Sequence, residues 1–219
     1  MTQIRVLENI LQANDELAAQ VRRRLQDAGL VSFNLIGSPG AGKTALLEQT
    51  LPRLAAELRL AVVEGDCATA RDAERIGALG VEVVQINTGK GCHIPAHLIL
   101  QALDNLPLDH ADVLFIENVG NLVCPSELDI GETAKVAVLS VPEGDDKPQK
   151  YPMLFRQCEV VVLNKTDLIP YTAFDCARFE EDVRAVNRDV PIFGVSCRTG
   201  EGIDAWADWL RRRIAAAKA

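Results

Sequence analysis

The residues best suited to chemistry begin at Gly37. Gly37-Ser38-Pro39-Gly40-Ala41-Gly42-Lys43-Thr44 follows the spacing G-x-x-x-x-G-K-[ST] without a mismatch. Its glycines leave room for successive backbone N–H groups to turn inward on an anion, so the stretch predicts a phosphate cradle. Lys43 is placed to bridge β- and γ-phosphates, and the Thr44 hydroxyl to ligate Mg²⁺. Asn164-Lys165-Thr166-Asp167 fits N-K-x-D and adds a base-reading element. The Asp167 carboxylate can accept from both N1–H and the 2-amino group of guanine, a donor pair that adenine lacks. Lys165 would cover the ring plane, and Asn164 would tie this motif to the phosphate loop. One strand later, Ser196-Cys197-Arg198-Thr199-Gly200 stands where a second base loop is expected, with a backbone N–H for guanine O6. In this order along the chain, the motifs predict GTP rather than ATP.

Two further groups of residues could act beside the phosphates. Asp66 closes an apolar run, at the carboxyl edge where open parallel sheets bind ligands. Glu117-Asn118-Val119-Gly120 stands where a D-x-x-G segment is usual: the acid can hold the Mg²⁺ shell and the Gly120 N–H can meet the γ-phosphate. Asp72, taken alone, is an ordinary charge in the first turn of a helix. The second group is soft. Cys92-His93 and Cys124 offer two thiols and an imidazole, donors that suit nickel or zinc. Each cysteine by itself reads more readily as a small buried apolar residue than as a ligand, but both loops are expected to leave neighbouring strands at the nucleotide-facing edge, so the residues leave a metal site and a pair of core thiols both open.

These groups need elements to position them. Apolar runs at 31–36, 60–65, 81–86, 112–116, 134–141, 159–163 and 190–195 predict seven strands, and helical patterns alternate with them at 45–51, 69–79, 96–103, 174–187 and from 201 to the end. An amphipathic helix at about 4–27 precedes the first strand, and Arg22-Arg23-Arg24 near its end offsets the helix dipole. Strictly alternating strand and helix predict an α/β fold with a mostly parallel sheet of about seven strands and helices on both faces. With 219 residues, no repeat and no long linker, a single domain spanning 1–219 is expected. Trp206 and Trp209 read as core residues of the last helix.

A net charge of −8 argues against coating a nucleic acid. The absence of a signal-peptide pattern or a membrane-length apolar run predicts a cytoplasmic protein that engages neither membrane nor nucleic acid. Six cysteines, Cys67, Cys92, Cys124, Cys158, Cys176 and Cys197, have no paired spacing and are expected as thiols.

Taken together, the phosphate loop, Asn87-Thr88-Gly89-Lys90-Gly91-Cys92-His93, Glu117-Asn118-Val119-Gly120-Asn121-Leu122-Val123-Cys124-Pro125 and Asn164-Lys165-Thr166-Asp167 resemble the HypB family of nickel-incorporation GTPases over essentially the whole chain. The resemblance implies a P-loop NTPase fold and slow, Mg²⁺-dependent hydrolysis of GTP by a dimer that forms when GTP is bound. It also implies delivery of nickel to a [NiFe]-hydrogenase large-subunit precursor, with a nickel-binding partner, HypA. By the same resemblance Asp66, Asp72 and Glu117 join Thr44 around Mg²⁺, and Cys92, His93 and Cys124 are the metal ligands for nickel, or for zinc, which accepts the same donors. Residues 1–28 contain neither Cys nor His, so an N-terminal nickel store of the kind some members carry is not expected. The related urease GTPase UreG has a proline between its metal-binding Cys and His, whereas here they are adjacent. A purely regulatory GTPase with structural cysteines is the alternative from a different class.

Overall fold

The computed structural model describes residues 2–66, 71–89 and 91–218. Seven strands form one all-parallel sheet: β1 (Val31–Ile36), β2 (Leu60–Asp66), β3 (Glu82–Asn87), β4 (Val113–Glu117), β5 (Ala134–Ser140), β6 (Val160–Asn164) and β7 (Ile192–Gly194). Their order is β3-β2-β4-β1-β5-β6-β7. The helices are α1 (Thr2–Asp27), α2 (Lys43–Leu54), α3 (Arg71–Gly77), α4 (Ala96–Leu103), α5 (Cys124–Glu127), α6 (Lys147–Lys150), α7 (Pro152–Gln157), α8 (Cys176–Val186) and α9 (Ile203–Lys218).

The central strands are buried on both faces, which is why they read as nearly unbroken apolar runs rather than alternating ones. Successive residues still go to opposite cores. Phe33, Leu35, Val62, Phe115, Val138 and Val162 pack against α2 and α9, with Leu46, Leu51, Trp206 and Leu210 as the main helical contributors. On the other face Val63, Leu114 and Ile116 meet α1 and α4, while Ala137, Leu139 and Val161 meet α7 and α8. Trp206 stacks on Trp209 at 5.4 Å between ring centroids, and its indole N–H donates to Thr50 Oγ1 at 3.0 Å. That bond satisfies the polar end of the largest core side chain.

Three sequence expectations change. The loops carrying Cys92 and Cys124 do not leave neighbouring strands, because β2 lies between β3 and β4; chain order and sheet order part company wherever a crossover passes over an inner strand. The segment from Cys124 to Gln157, expected as loops around one strand, contains the short helices α5, α6 and α7, each with proline in its first turn. They are too short for a helical period to show. The arginines ending α1 also do more than offset its dipole: Arg22 pairs with Asp129 and Arg24 with Asp104, so the helix is fastened to two distant loops. The expected helix start at Thr69, together with Cys67 and Lys90, lies outside the described residues. Among the described residues, no helix is long and apolar enough to cross a membrane.

Candidate nucleotide and metal sites

The loop after the central strand β1 turns directly into α2, as a phosphate cradle requires. Gly42 has φ +94°, a conformation that favours glycine, and a Cβ there would lie 2.3 Å from Asn164 Nδ2. Lys43 is buried, its Nζ donating to the Gly37 carbonyl at 3.3 Å and the Ser38 carbonyl at 3.5 Å. Burial lowers its pKa, and the carboxylate of Glu117 acts in the opposite direction. A cavity of about 430 Å³ is lined by Pro39, Gly40, Lys43 and Thr44 from the loop and α2, and by Glu64, Asp66, Asp72, Glu117 and Gly120 from the segments around it.

The acidic wall is built by sheet register. Glu64 and Glu117 are cross-strand partners in the β2–β4 pairing, so their side chains share a face at the edge of the sheet. Thr44 Oγ1 donates to Glu117 Oε1 at 2.8 Å. The other oxygens, Glu64 Oε2 and Glu117 Oε2, are buried without a protein partner. Burial, followed by the proximity of Glu117, raises the pKa of Glu64 to about 8; burial raises that of Glu117 to about 7, against the pull of Lys43. Two orphaned carboxyl oxygens beside a threonine hydroxyl form a hard oxygen donor set that fits Mg²⁺, whose charge would hold both carboxyls ionised. Asp72 lies on the same wall with Arg75, which it binds at 2.7 Å while Arg75 also binds Glu48. Glu64 was not among the residues singled out from the sequence; the signal was a lone charge near the end of the otherwise apolar run Leu60–Gly65.

The base-reading motif forms a second cavity of about 360 Å³, which shares Gly42 and Ala45 with the first. Asn164 Nδ2 donates to the Ala41 carbonyl at 3.1 Å, and Lys165 Nζ to the Gly40 carbonyl at 2.6 Å, so the motif is fastened to the phosphate loop at two points. Lys165 has φ +61°, unique among the non-glycine described residues. The Ser196 hydroxyl donates to Asp167 Oδ1 at 2.7 Å, which orients the carboxylate and leaves Oδ2 toward Arg198 at 4.0 Å. Within the Ser196–Gly200 loop the Ser196 N–H donates to the Glu201 carbonyl and the Cys197 N–H to Asn164 Oδ1 at 3.2 Å, which fastens this loop to the Asn164 motif. Burial pushes the Cys197 thiol up to about 11.

The soft donors come together from two loops. Single ligand atoms of Cys92, His93 and Cys124 all lie within 4.8 Å of one another, and Cys92 Sγ is 3.5 Å from His93 Nδ1. Cys124 beside it raises the Cys92 thiol, while burial lowers the His93 imidazole toward its neutral, metal-binding form. No other cluster of three or more His, Cys, Asp or Glu donors with this geometry occurs among the described residues. Cys158 by contrast is a core thiol, pushed up to about 12 by burial. The segment after β4 serves both sites: Glu117 and Gly120 line the phosphate cavity and Cys124 completes the soft cluster.

Residues 31–194 match the family model described as the CobW/HypB/UreG nucleotide-binding domain. The hydrogenase maturation factor HypB of Azotobacter vinelandii is 49% identical over 210 residues, which cover 96% of this chain and 69% of the relative. Among solved structures, HypB from Helicobacter pylori in complex with nickel superposes with a TM-score of 0.89 at 38% identity, covering 93% of this chain and 96% of that one. HypB from Archaeoglobus fulgidus gives a TM-score of 0.87 at 37% identity, over 93% of this chain and all of the other.

Proposed function

From the premise that the chain belongs to the HypB family of hydrogenase maturation factors, within the CobW/HypB/UreG nucleotide-binding proteins, we propose that it is a GTP-hydrolysing metallochaperone that carries nickel. The observation that carries this reading is the convergence of Cys92, His93 and Cys124 within 4.8 Å, one donor of which stands on the same segment as the acidic wall of the phosphate cavity. Thiolate and imidazole donors suit nickel, and zinc competes for the same set. The superposition on a nickel-bound relative supports the metal assignment.

In this reading Gly37 to Thr44 cradle the phosphates, Lys43 offsets their charge, and Asp167, held by Ser196, selects guanine. Thr44, Asp66, Asp72 and Glu117, with the newly placed Glu64, hold Mg²⁺ and its water shell, and Gly120 meets the γ-phosphate. Bound there, Mg²⁺ neutralises charge on the phosphate oxygens during transfer. Hydrolysis is slow in the isolated protein. The three soft donors fall one short of the four that tetrahedral zinc or square-planar nickel takes. The missing donor comes from a second copy when GTP draws two nucleotide-facing edges together, and relaxation after hydrolysis releases nickel toward a hydrogenase large-subunit precursor, with HypA as the nickel-binding partner. The setting is the cytoplasm.

The test is a nickel and zinc titration of the purified protein with GDP and with a non-hydrolysable GTP analogue, with mass followed by light scattering. A GTP-dependent dimer whose bound metal is lost in Cys92→Ala and Cys124→Ala, while GTP hydrolysis remains measurable, supports the reading. One mass in all nucleotide states, or unchanged nickel binding in both variants, returns the cysteines to a structural role and leaves a regulatory GTPase.

A further inference from the structure

One residue, through its backbone and its side chain together, bonds three segments of the proposed coupling. Asn121 lies four residues beyond Glu117 and three before Cys124. Its backbone N–H donates to the Gly37 carbonyl at 3.0 Å, the same carbonyl that receives Lys43 Nζ. Its Nδ2 donates to the Cys92 carbonyl at 3.1 Å, and its Oδ1 accepts from the Val123 N–H at 2.9 Å. One residue thus bonds the phosphate loop, the backbone of one thiol ligand and the residue adjoining the other.

The chemistry requires an amide. A carboxamide carries a donor and an acceptor fixed on one plane, and here one partner is a carbonyl and the other an N–H, so both ends are specified. Aspartate would keep the acceptor for Val123 and set a carboxylate oxygen against the Cys92 carbonyl. The bond to Val123 alone would be a local turn of the kind asparagine commonly makes. The bonds to Gly37 and Cys92 span 84 and 29 residues of sequence and join separate loops. Asn118 secures the other end of the same ligand loop: its buried Oδ1 accepts from the Ile94 N–H at 3.1 Å, and its Nδ2 donates to Asn34 Oδ1 at 3.1 Å. Cys92 and His93 are therefore held on both sides by the segment that lines the phosphate cavity. That segment also has no slack toward the phosphate loop, since a Cβ on Gly120 would sit 2.8 Å from Pro39 Cγ.

We infer that Asn121 is the positioning residue through which the state of the phosphate loop sets the spacing of the Cys92, His93 and Cys124 donors. This rests on the proposed reading of those three residues as the nickel site. A phosphate group in the cradle gives Lys43 a charged acceptor in place of the Gly37 carbonyl, which alters the partner that Asn121 N–H shares. The side-chain amide then passes any shift of the segment to the backbone beside both thiols in a single step.

Asn121→Asp is the informative variant, because it keeps the local turn and removes the bond to Cys92. Nickel is titrated into the unmodified chain and the variant, with GDP and with the GTP analogue, while the thiolate-to-nickel charge-transfer absorbance and the melting temperature are recorded. The expected result is that the ratio of nickel affinities between the two nucleotide states, about fivefold or more in the unmodified chain, falls to near one in Asn121→Asp. The nickel stoichiometry is retained and the charge-transfer band shifts. A variant with the unmodified ratio and spectrum overturns the inference. An unmodified chain with a ratio of one but nickel binding that depends on Cys92 also overturns it and leaves the nickel site standing. Nickel binding indifferent to Cys92→Ala removes the proposed site and the inference together.

Discussion

Glu64→Gln should make the ligand-free protein more stable. The carboxyl is 2% exposed, its Oε2 has no protein partner, and its cross-strand neighbour is another buried glutamate. Its pKa is raised from 4.5 to about 8 by burial first and Glu117 second. The folded chain therefore binds more protons than the unfolded chain between these values, so stability is fully present below 4.5 and is lost as pH rises toward 8. Keeping the group protonated at pH 7 when it would ionise freely at 4.5 costs about 1.4 kcal/mol for each pH unit of the gap, or about 3 kcal/mol. Glutamine keeps the shape and stays neutral but still buries an amide, which leaves an expected gain of about 1–3 kcal/mol at pH 7. For a chain of this length about 2 kcal/mol corresponds to a melting temperature higher by about 4–8 °C. The assay is denaturant unfolding at pH 5 and pH 7.5, without Mg²⁺ or nucleotide. The two proteins should nearly coincide at pH 5 and diverge at pH 7.5, where the unmodified chain has weakened and the variant less so. Equal losses between the two pH values would refute the argument, since Glu64 would then ionise alike in both states.

Asp167→Asn, which leaves Ser196 without a carboxylate partner and presents a donor to guanine, should weaken GTP binding by about 2–4 kcal/mol in equilibrium titration and spare the melting temperature of the free protein. Lys43→Ala should abolish GTP hydrolysis in a phosphate-release assay, because it removes the buried cation of the cradle. Asn118→Leu should cost about 2–4 kcal/mol in unfolding experiments, since it strands Ile94 N–H and Asn34 Oδ1 in the core; Asn34 in turn donates to Glu132 Oε1.

The contiguous motifs could be picked out from sequence because the chemistry proposed for each needs only local spacing: the phosphate loop, Asn164-Lys165-Thr166-Asp167 and the adjacent Cys92-His93. The seven strands and their parallel pairing were legible for a similar reason, since apolar runs alternating with helical periods admit few folds. What the tertiary structure decided was every relation between segments far apart in the chain. Sheet order placed β2 between β3 and β4, and register set Glu64 against Glu117, where a shift of one residue would have sent either side chain to the other face. The reach of Asn118 and Asn121 to the ligand loop, and the hold of Ser196 on Asp167, likewise exist only once separate loops meet at one sheet edge. Sequence spacing specifies which groups a loop can offer; packing specifies which of them face each other, because register, crossover and burial are properties of pairs of elements rather than of either alone.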